Sequence, residues 1–254
     1  DRVYAGIGGD YVRAGNSMGV VAISEDEVSR DDMERVHLVA RAVALPADRE
    51  MVHAIPQEYR VDDQQGIKDP LGMAGVRLEA EVFLVTCQIA GSTNIRKAVN
   101  QAGYCVQEMV LEPLAGGRAV LTEDEKEVGV VMVEIGASTT DVVAYYEGKV
   151  QHVSILPFGG KTLTADLVRG LSVPYAEAKK AKEQYGIAFA QMVDPRETVE
   201  MPGPSPGQMR AIARELIAHI IEQRLDEMFG IVQAELESQG LLDKLGAGVV
   251  LSGG

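Results

Sequence analysis

A turn rich in small and hydroxyl residues, EIGASTTD at 134–141, has the residue types best suited to chemistry on a phosphate. Small residues let the backbone approach a ligand closely, and successive backbone N–H groups in such a turn form a concavity for phosphate oxygens. Hydroxyl donors come from Ser138, Thr139 and Thr140. The flanking carboxylates of Glu134 and Asp141 could orient waters around Mg²⁺, a cation that takes oxygen ligands and usually keeps several waters. We therefore predict that this turn forms an anion cradle with magnesium beside it.

The predicted elements around the turn distinguish it from other phosphate-binding loops. An apolar run at 128–135 is typical of a strand buried on both faces, and 142–146 is predicted as the next strand. A Walker loop and a dinucleotide fingerprint both need a helix directly after the glycines, so neither fits. The alternative is a plain hairpin in which the glycine and threonines only serve the turn.

The remaining predicted elements place this turn in a mixed α/β chain. A Glu147-Gly148 turn and a strand at 149–156 complete a three-stranded meander. Ser29 is a candidate N-cap for a helix that ends before Pro46. Other strands are predicted at 3–9, 20–23, 51–61, 79–87 and 106–111, and short helices at 94–103 and 113–121. The downstream part is predicted to be mostly helical, with helices at 163–171 and 175–185, a Pro/Gly-rich loop at 202–207 and about eight helical turns from 209 to 236.

Composition and charge narrow the function classes. The chain has 254 residues, of which 46% are hydrophobic and 24% charged, which predicts an ordinary globular protein with at least two lobes. It contains no apolar run of about 18 residues, so we expect no membrane span. The formal net charge of -14 repels phosphate backbones and anionic headgroups. We therefore expect no binding to nucleic acid and no direct membrane contact from this chain.

The two cysteines and four histidines suggest no metal site. Cys87 and Cys105 lie in apolar surroundings and are predicted to be reduced core residues. The histidines have no spacing typical of metal ligands. The chain begins without methionine and ends on a glycine turn, so we expect it to be a piece of a longer protein.

Two further glycine strings favour a phosphate site over a plain hairpin at 134–141. These are PFGG at 157–160 and GVVLSGG at 248–254. Together the three strings resemble the nucleotide-binding set of the actin, sugar-kinase and Hsp70 superfamily. The resemblance implies an α/β, actin-like (ribonuclease H-like) ATPase fold with ATP and Mg²⁺ as cofactors. The residues implied to bind nucleotide are Gly136, Ala137, Ser138, Thr139, Thr140, Gly159, Gly160, Lys182, Gly253 and Gly254.

The same resemblance assigns roles to three charged residues. Glu134 is implied to be the catalytic carboxylate and, with Asp141, to hold magnesium through water. Lys182 matches the lysine that borders the nucleoside, and the alternative for it is a solvated helix lysine beside Lys179 and Lys180.

Within that superfamily the chain resembles the FtsA family. The strings that carry the resemblance are IPQEY at 55–59, GIKDPLGMAGVRLEAEV at 66–82, EPLAGGRAVLTEDE at 112–125 and the segment from EIGASTTD to PFGG at 134–160. The first two fall in a small α+β subdomain that this family carries as an insertion. The implied domains are 1–9 with 88–127 as the rest of the first lobe, 10–87 as the insertion, 128–180 with 241–254 as the nucleotide-binding core of the second lobe, and 181–240 as its helical subdomain.

The resemblance implies a cell-division adaptor that binds ATP and polymerises into filaments. Such a protein ties the FtsZ ring to the cytoplasmic membrane by binding the FtsZ C-terminal tail, and it recruits other divisome membrane proteins at the septum. The FtsZ contact is implied for 181–240, and filament contacts and recruitment for the insertion. A first phosphate hairpin, the rest of the second lobe and the membrane anchor would lie outside this sequence.

Three departures from the family pattern bear on hydrolysis. Glu134 stands where aspartate is usual, Ala137-Ser138 where Gly-Gly is usual, and Lys179 where glutamate is common. We therefore expect a weak ATPase at most. The alternatives are a pilus-assembly actin homologue that binds an inner-membrane protein peptide, a degenerate non-hydrolysing module of the same fold, and an actin-fold kinase with a small substrate.

Overall fold

The computed structural model describes residues 1–9, 11–203 and 207–254. The described chain divides into two compact units. Unit 1 comprises Asp1–Glu134, Asp141–Leu156 and Lys244–Leu251, and unit 2 comprises Ile135–Thr140, Pro157–Asp243 and Ser252–Gly254. Asp10, at the predicted start of the insertion, and 204–206, in the predicted Pro/Gly-rich loop, lie outside the described residues.

Strands and helices are mixed along the described chain. The strands are β1 (Arg2–Ile7), β2 (Val12–Ala22), β3 (Arg49–Val61), β4 (Gln64–Ile67), β5 (Arg77–Gln88), β6 (Cys105–Leu111), β7 (Val130–Ile135), β8 (Thr140–Tyr146), β9 (Lys149–Leu156), β10 (Thr198–Pro202), β11 (Met209–Ala213) and β12 (Gly248–Gly253). The helices are α1 (Arg30–Arg41), α2 (Ile89–Gln101), α3 (Glu112–Val120), α4 (Glu123–Val128), α5 (Gly160–Leu171), α6 (Tyr175–Tyr185) and α7 (Arg214–Ser238).

The first half of unit 1 contains a sheet of order β2-β5-β3-β4 with α1 packed on it. Ser29 caps α1 as predicted: its hydroxyl accepts from the Asp32 N–H, and the Asp32 side chain accepts from the Ser29 N–H. The apolar face of α1 and the facing strands are fully buried at Val36 and Leu78. Gly19 allows this contact, because a Cβ there would lie 2.2 Å from the Val36 carbonyl oxygen.

The rest of unit 1 is built around two further sheets. β1 pairs in parallel with β6, and the predicted meander is confirmed as part of a sheet of order β12-β7-β8-β9. The meander turns at Glu147 and Gly148, whose φ angles of 55° and 73° are left-handed. β7 is buried from Val130 to Val133, as expected for a strand covered on both faces.

Unit 2 is formed mainly by three helices and a hairpin. Helices α5, α6 and α7 pack around a core that includes Leu167 and Ile217, and β10 pairs antiparallel with β11 beside it. Arg224 on α7 bonds the Asp166 carboxylate on α5 through two nitrogens, at 2.5 and 3.1 Å. No helix in residues 1–9, 11–203 or 207–254 has both the length and the hydropathy of a membrane span.

Several expected elements differ in the structure. The predicted helix from 209 begins only at Arg214, because Met209–Ala213 forms β11. The first strand of the insertion runs from Val12, not from 20. Helix α1 does end before Pro46 as predicted, at Arg41. The prediction that Cys105 is a core residue was wrong, since the side chain is exposed, whereas Cys87 is buried.

Candidate functional site

The turn between β7 and β8 is a tight hairpin. The Gly136 N–H donates to the Thr139 carbonyl at 2.9 Å, which leaves Ala137 and Ser138 as the two turn residues, both exposed. Neither is among the described residues with a positive φ angle, so a side chain fits at both positions without backbone strain. The replacement of the family's Gly-Gly at this point is therefore compatible with the turn.

The carbonyl groups of the turn point at the start of α5. The Gly160 N–H donates to the Gly136 carbonyl at 2.9 Å, and the Lys161 N–H to the Ala137 carbonyl at 2.8 Å. In a trans peptide the C=O and the N–H point in opposite directions. The N–H groups of Ala137 and Ser138, which share peptides with these two carbonyls, therefore point away from α5.

This arrangement leaves two backbone donors of the turn available to a ligand. Within the described chain, no hydrogen bond is donated by the Ala137 or Ser138 N–H. The positive end of the α5 dipole polarises both peptides through their carbonyls, which strengthens the outward donors. The start of α5 is itself occupied by the turn, so an anion is better served by the turn residues than by the helix end.

The predicted hydroxyl donors lie in different surroundings. Ser138 is exposed at the tip of the turn. Thr140 is buried, and its hydroxyl donates to the Phe158 carbonyl at 2.8 Å, which ties the turn to the PFGG string. The proposed role of Thr140 toward phosphate stays a prediction, while its hydroxyl bond within unit 2 explains why threonine suits this position.

The glycines of the two other strings allow close packing against the turn. A Cβ on Gly159 would lie 2.4 Å from the Gly136 carbonyl oxygen and 3.0 Å from that of Thr139. Gly253 has a φ of 108°, and a Cβ there would lie 2.3 Å from the carbonyl oxygen of Ile135. Gly254, in contrast, has open space around its Cβ position. Gly159 and Gly253 are therefore required by the backbone of unit 2, whatever else they do.

Lys182 on α6 also reaches this group of residues. Its ammonium donates to the Gly160 carbonyl at 2.9 Å, and its side chain is half-buried. Lys179, by contrast, is exposed and pairs with Glu183 at 3.8 Å. The structure thus brings Lys182 to the first residue of α5, which a purely solvated helix lysine would not do.

The carboxylates predicted to handle magnesium belong to unit 1. Asp141 is buried at 5% exposure, and Glu134 is half-buried. A Cβ on Gly116, in α3, would lie 2.8 Å from an oxygen of Glu134. The described residues contain no group of three or more His, Cys, Asp or Glu side chains that could hold a metal. The assignment of magnesium to Glu134 and Asp141 stays a prediction.

Sequence reasoning assigned no role to Glu112, the first residue of α3. Its carboxylate packs on the glycines at the end of β1, since a Cβ on Gly8 would lie 2.3 Å from one of its oxygens. Burial and the nearby charge of Glu134 raise the pKa of the Glu112 carboxyl above its ordinary value. The only signal in the sequence was its position directly after a strand and before Pro113, within the string EPLAGGRAVLTEDE.

Comparison with protein-family models gives two matches. Residues 9–86 match the model described as the SHS2 domain inserted in FTSA, and residues 131–251 match the model described as cell division protein FtsA. Both models come from the family that the sequence motifs resemble.

Curated relatives agree with these models. A protein named cell division protein FtsA from Pseudomonas aeruginosa is 43% identical over 99% of this chain and 60% of its own length. Proteins of the same name are 38% identical in Neisseria meningitidis serogroup B, with 61% of that protein covered, and 37% identical in Escherichia coli strain K12, with 62% covered. The chain thus spans about three fifths of the length of the curated relatives it matches.

Solved structures confirm the predicted actin-like fold. A PilM–PilN type IV pilus biogenesis complex matches all of this chain and 69% of its own with a TM-score of 0.61 at 16% identity. MreB5 of Spiroplasma citri, solved with ADP, matches 66% of this chain and 54% of its own with a TM-score of 0.54, also at 16% identity. At such identities the likeness speaks for the fold, and the relatives above speak for the family: the chain belongs to the FtsA family of actin-like cell-division proteins.

Proposed function

We propose that this chain contributes the second phosphate-binding turn and the adjoining elements of an ATP site in a cell-division adaptor. The observation that carries the proposal is the pair of outward N–H groups of Ala137 and Ser138, whose carbonyls accept from the start of α5. Two polarised donors at an exposed turn suit the oxygens of a polyphosphate. Gly159, Gly160 and Lys182 adjoin the turn within unit 2.

In this proposal the residues around the turn have separate roles. The phosphate cradle is formed by Gly136, Ala137, Ser138, Thr139 and Thr140. The adenosine is approached by Gly253 and Gly254. Glu134 and Asp141 orient waters of a magnesium ion that travels with ATP. Because Glu134 replaces a shorter aspartate, we propose that ATP is bound with weak hydrolysis at most.

At the level of the whole protein, we propose that ATP acts as a conformational ligand of a polymerising adaptor. A ligand shifts an equilibrium only by its differential affinity for two states, so ATP would favour the arrangement that assembles. The helical subdomain at 181–240 would bind the C-terminal tail of FtsZ, and the insertion at 10–87 would serve filament contacts and the recruitment of divisome membrane proteins. The full-length protein would then lie on the inner face of the membrane at the septum.

Charge at the tip of the turn provides the test of ATP binding. Ser138 is exposed, so Ser138→Glu and Ser138→Gln should both fold, and they differ by one charge at similar size. Repulsion between the new carboxylate and phosphate should weaken Mg-ATP binding about tenfold or more in Ser138→Glu, because charges about 4 Å apart near a surface interact by about 4 kcal/mol before screening. Ser138→Gln should stay within about threefold of the parent, since it adds no charge.

Isothermal titration calorimetry with Mg-ATP on the full-length protein measures both variants, at two salt concentrations. The difference between Glu and Gln should shrink at high salt, as expected for a surface charge. Equal affinities of the two variants, or no detectable Mg-ATP binding by the parent protein, would rule out the turn as the phosphate site.

A further inference from the structure

A histidine of the insertion is hydrogen-bonded to the backbone of the adjoining strand. Nε2 of His53, on β3, accepts from the Leu111 N–H at 3.0 Å. His53 is half-buried, and Leu111, the last residue of β6, is fully buried. In the parallel pair β1-β6, Leu111 is paired with Ile7. The bond therefore connects the sheet of the insertion to the strand pair β1-β6 within unit 1.

This bond fixes the protonation state of the ring. Because Nε2 accepts, it carries no proton, and the ring is neutral with its hydrogen on Nδ1. Burial lowers the pKa of His53, and the charge of Glu108 on β6 acts in the opposite direction. Glu108 lines a cleft together with Glu50 on β3 and Arg96 on α2.

The Leu111 amide lies one residue before Glu112. Leu111 is the N-cap of α3 and has no side-chain cap, so its backbone sets where the helix begins. Glu112 follows directly, and its carboxylate packs against the backbone of Gly6 and Gly8. A shift of the Leu111 peptide must therefore move Glu112 relative to β1.

We propose that His53 is a positioning residue through which the inserted domain sets the place of Glu112. Any ligand that displaces β3 of the inserted domain then changes the position of this carboxylate. Glu134, whose charge acts on Glu112, would carry the effect to a bound nucleotide. Only this last step rests on the proposed function.

Amide measurements on the chain without nucleotide test the coupling directly. In the parent protein the Leu111 amide resonance should titrate together with the His53 ring, because protonation of Nε2 removes the acceptor. His53→Gln supplies an oxygen acceptor that does not titrate, so the Leu111 amide should stay protected and become independent of pH. His53→Leu removes the acceptor, and hydrogen exchange at Leu111 should become about tenfold faster, as expected for the loss of one hydrogen bond. The amides of Glu112 and of the first turn of α3 should shift in His53→Leu and not in His53→Gln.

His37 provides a matched control in the same domain. It is also half-buried, but its Nε2 lies 2.7 Å from the Tyr59 hydroxyl and not beside β6. His37→Leu should leave the Leu111 and Glu112 amides unchanged. The proposal is overturned if Leu111 is equally protected in His53→Leu and His53→Gln, or if its resonance in the parent does not follow the His53 ring. Should His53→Leu fail to fold, the pH titration of the Leu111 amide in the parent and in His53→Gln still tests the coupling.

A second arm separates this coupling from ATP binding. Mg-ATP affinity of the full-length protein should fall at least threefold in His53→Leu and be retained in His53→Gln, a factor expected for about 0.7 kcal/mol. Amide coupling without any Mg-ATP binding by the parent would refute the proposed function and leave the His53 coupling intact. Mg-ATP binding that is equal in all variants would refute the extension of the coupling to the nucleotide.

Discussion

The glycine at the start of α5 offers the sharpest test of the turn geometry. In Gly159→Ala the new Cβ would lie 2.4 Å from the Gly136 carbonyl oxygen, 3.0 Å from that of Thr139 and 3.1 Å from the Ala137 carbonyl carbon. All three are backbone atoms, so no side chain can rotate away. The φ angle of −175° at Gly159 is extended backbone that any residue adopts, so the expected cost is steric.

The magnitude follows from what must move. Overpacking of this kind costs about 1–3 kcal/mol. A displaced turn also weakens the bonds from Gly160 and Lys161 to the turn carbonyls, each with a net value of about 1 kcal/mol. We therefore expect Gly159→Ala to lower the free energy of unfolding by about 2–3 kcal/mol and Tm by about 4–12 °C, since 1 kcal/mol corresponds to about 2–4 °C at this size. Mg-ATP affinity should fall with it, because the outward N–H groups lose their alignment.

Gly230→Ala is the matched control. It makes the same chemical change in unit 2, within α7, where nothing lies within 4 Å of the new Cβ. Alanine in an open helix position should stabilise by up to about 1 kcal/mol relative to glycine. Urea unfolding followed by circular dichroism measures both variants. If Gly159→Ala were as stable as Gly230→Ala, the close approach of Gly159 to the turn would be refuted.

Two further predictions concern single polar groups. Lys182→Met should lose the bond to the Gly160 carbonyl and about 1–2 kcal/mol of stability in urea unfolding, whereas Lys180→Met, at an exposed position of the same helix, should change stability by less than about 0.5 kcal/mol. Asp32 is fully buried and its pKa is held well below the ordinary value, mainly by the Ser29 hydroxyl and N–H, so its contribution is complete above about pH 4 and is lost as pH falls through the lower folded value. Asp32→Asn should cost about 2 kcal/mol at pH 7 and flatten the acid side of the stability profile, while Asp31→Asn, exposed in the same helical turn, should leave that profile unchanged.

Local signals were sufficient where a single residue type dictates the backbone. Ser29 predicted the start of α1 because its hydroxyl can replace a missing helical acceptor, and the capping box confirms it. Glu147-Gly148 predicted the meander turn, and the apolar run before Ile135 predicted a strand buried on both faces. In each case the physical cause lies within a few residues of the signal.

Features that depend on pairing with distant residues could not be predicted from local signals. The residues of β11 have helical spacing with those of α7, and only pairing with β10 makes them extended. The start of β2 is mostly exposed and carries no apolar pattern, and its extended form is set by pairing with β5 along its whole length. Glu112 could not be assigned from spacing either, since its partners are Gly6 and Gly8, more than a hundred residues away in the chain.

In the candidate phosphate site the proposed donors do not depend on which side chains the turn residues carry. The donors that face outward are backbone N–H groups, and the features that orient them are the start of α5 and the glycine at 159. Ala137 and Ser138 can therefore differ from the family's glycines without removing a donor. In the proposed function hydrolysis would have no such tolerance, because it would depend on the position of the Glu134 carboxylate. Ala137 and Ser138 are therefore compatible with retained Mg-ATP binding, whereas Glu134 is the departure expected to slow hydrolysis, and both expectations fit the proposed role of ATP as a conformational ligand.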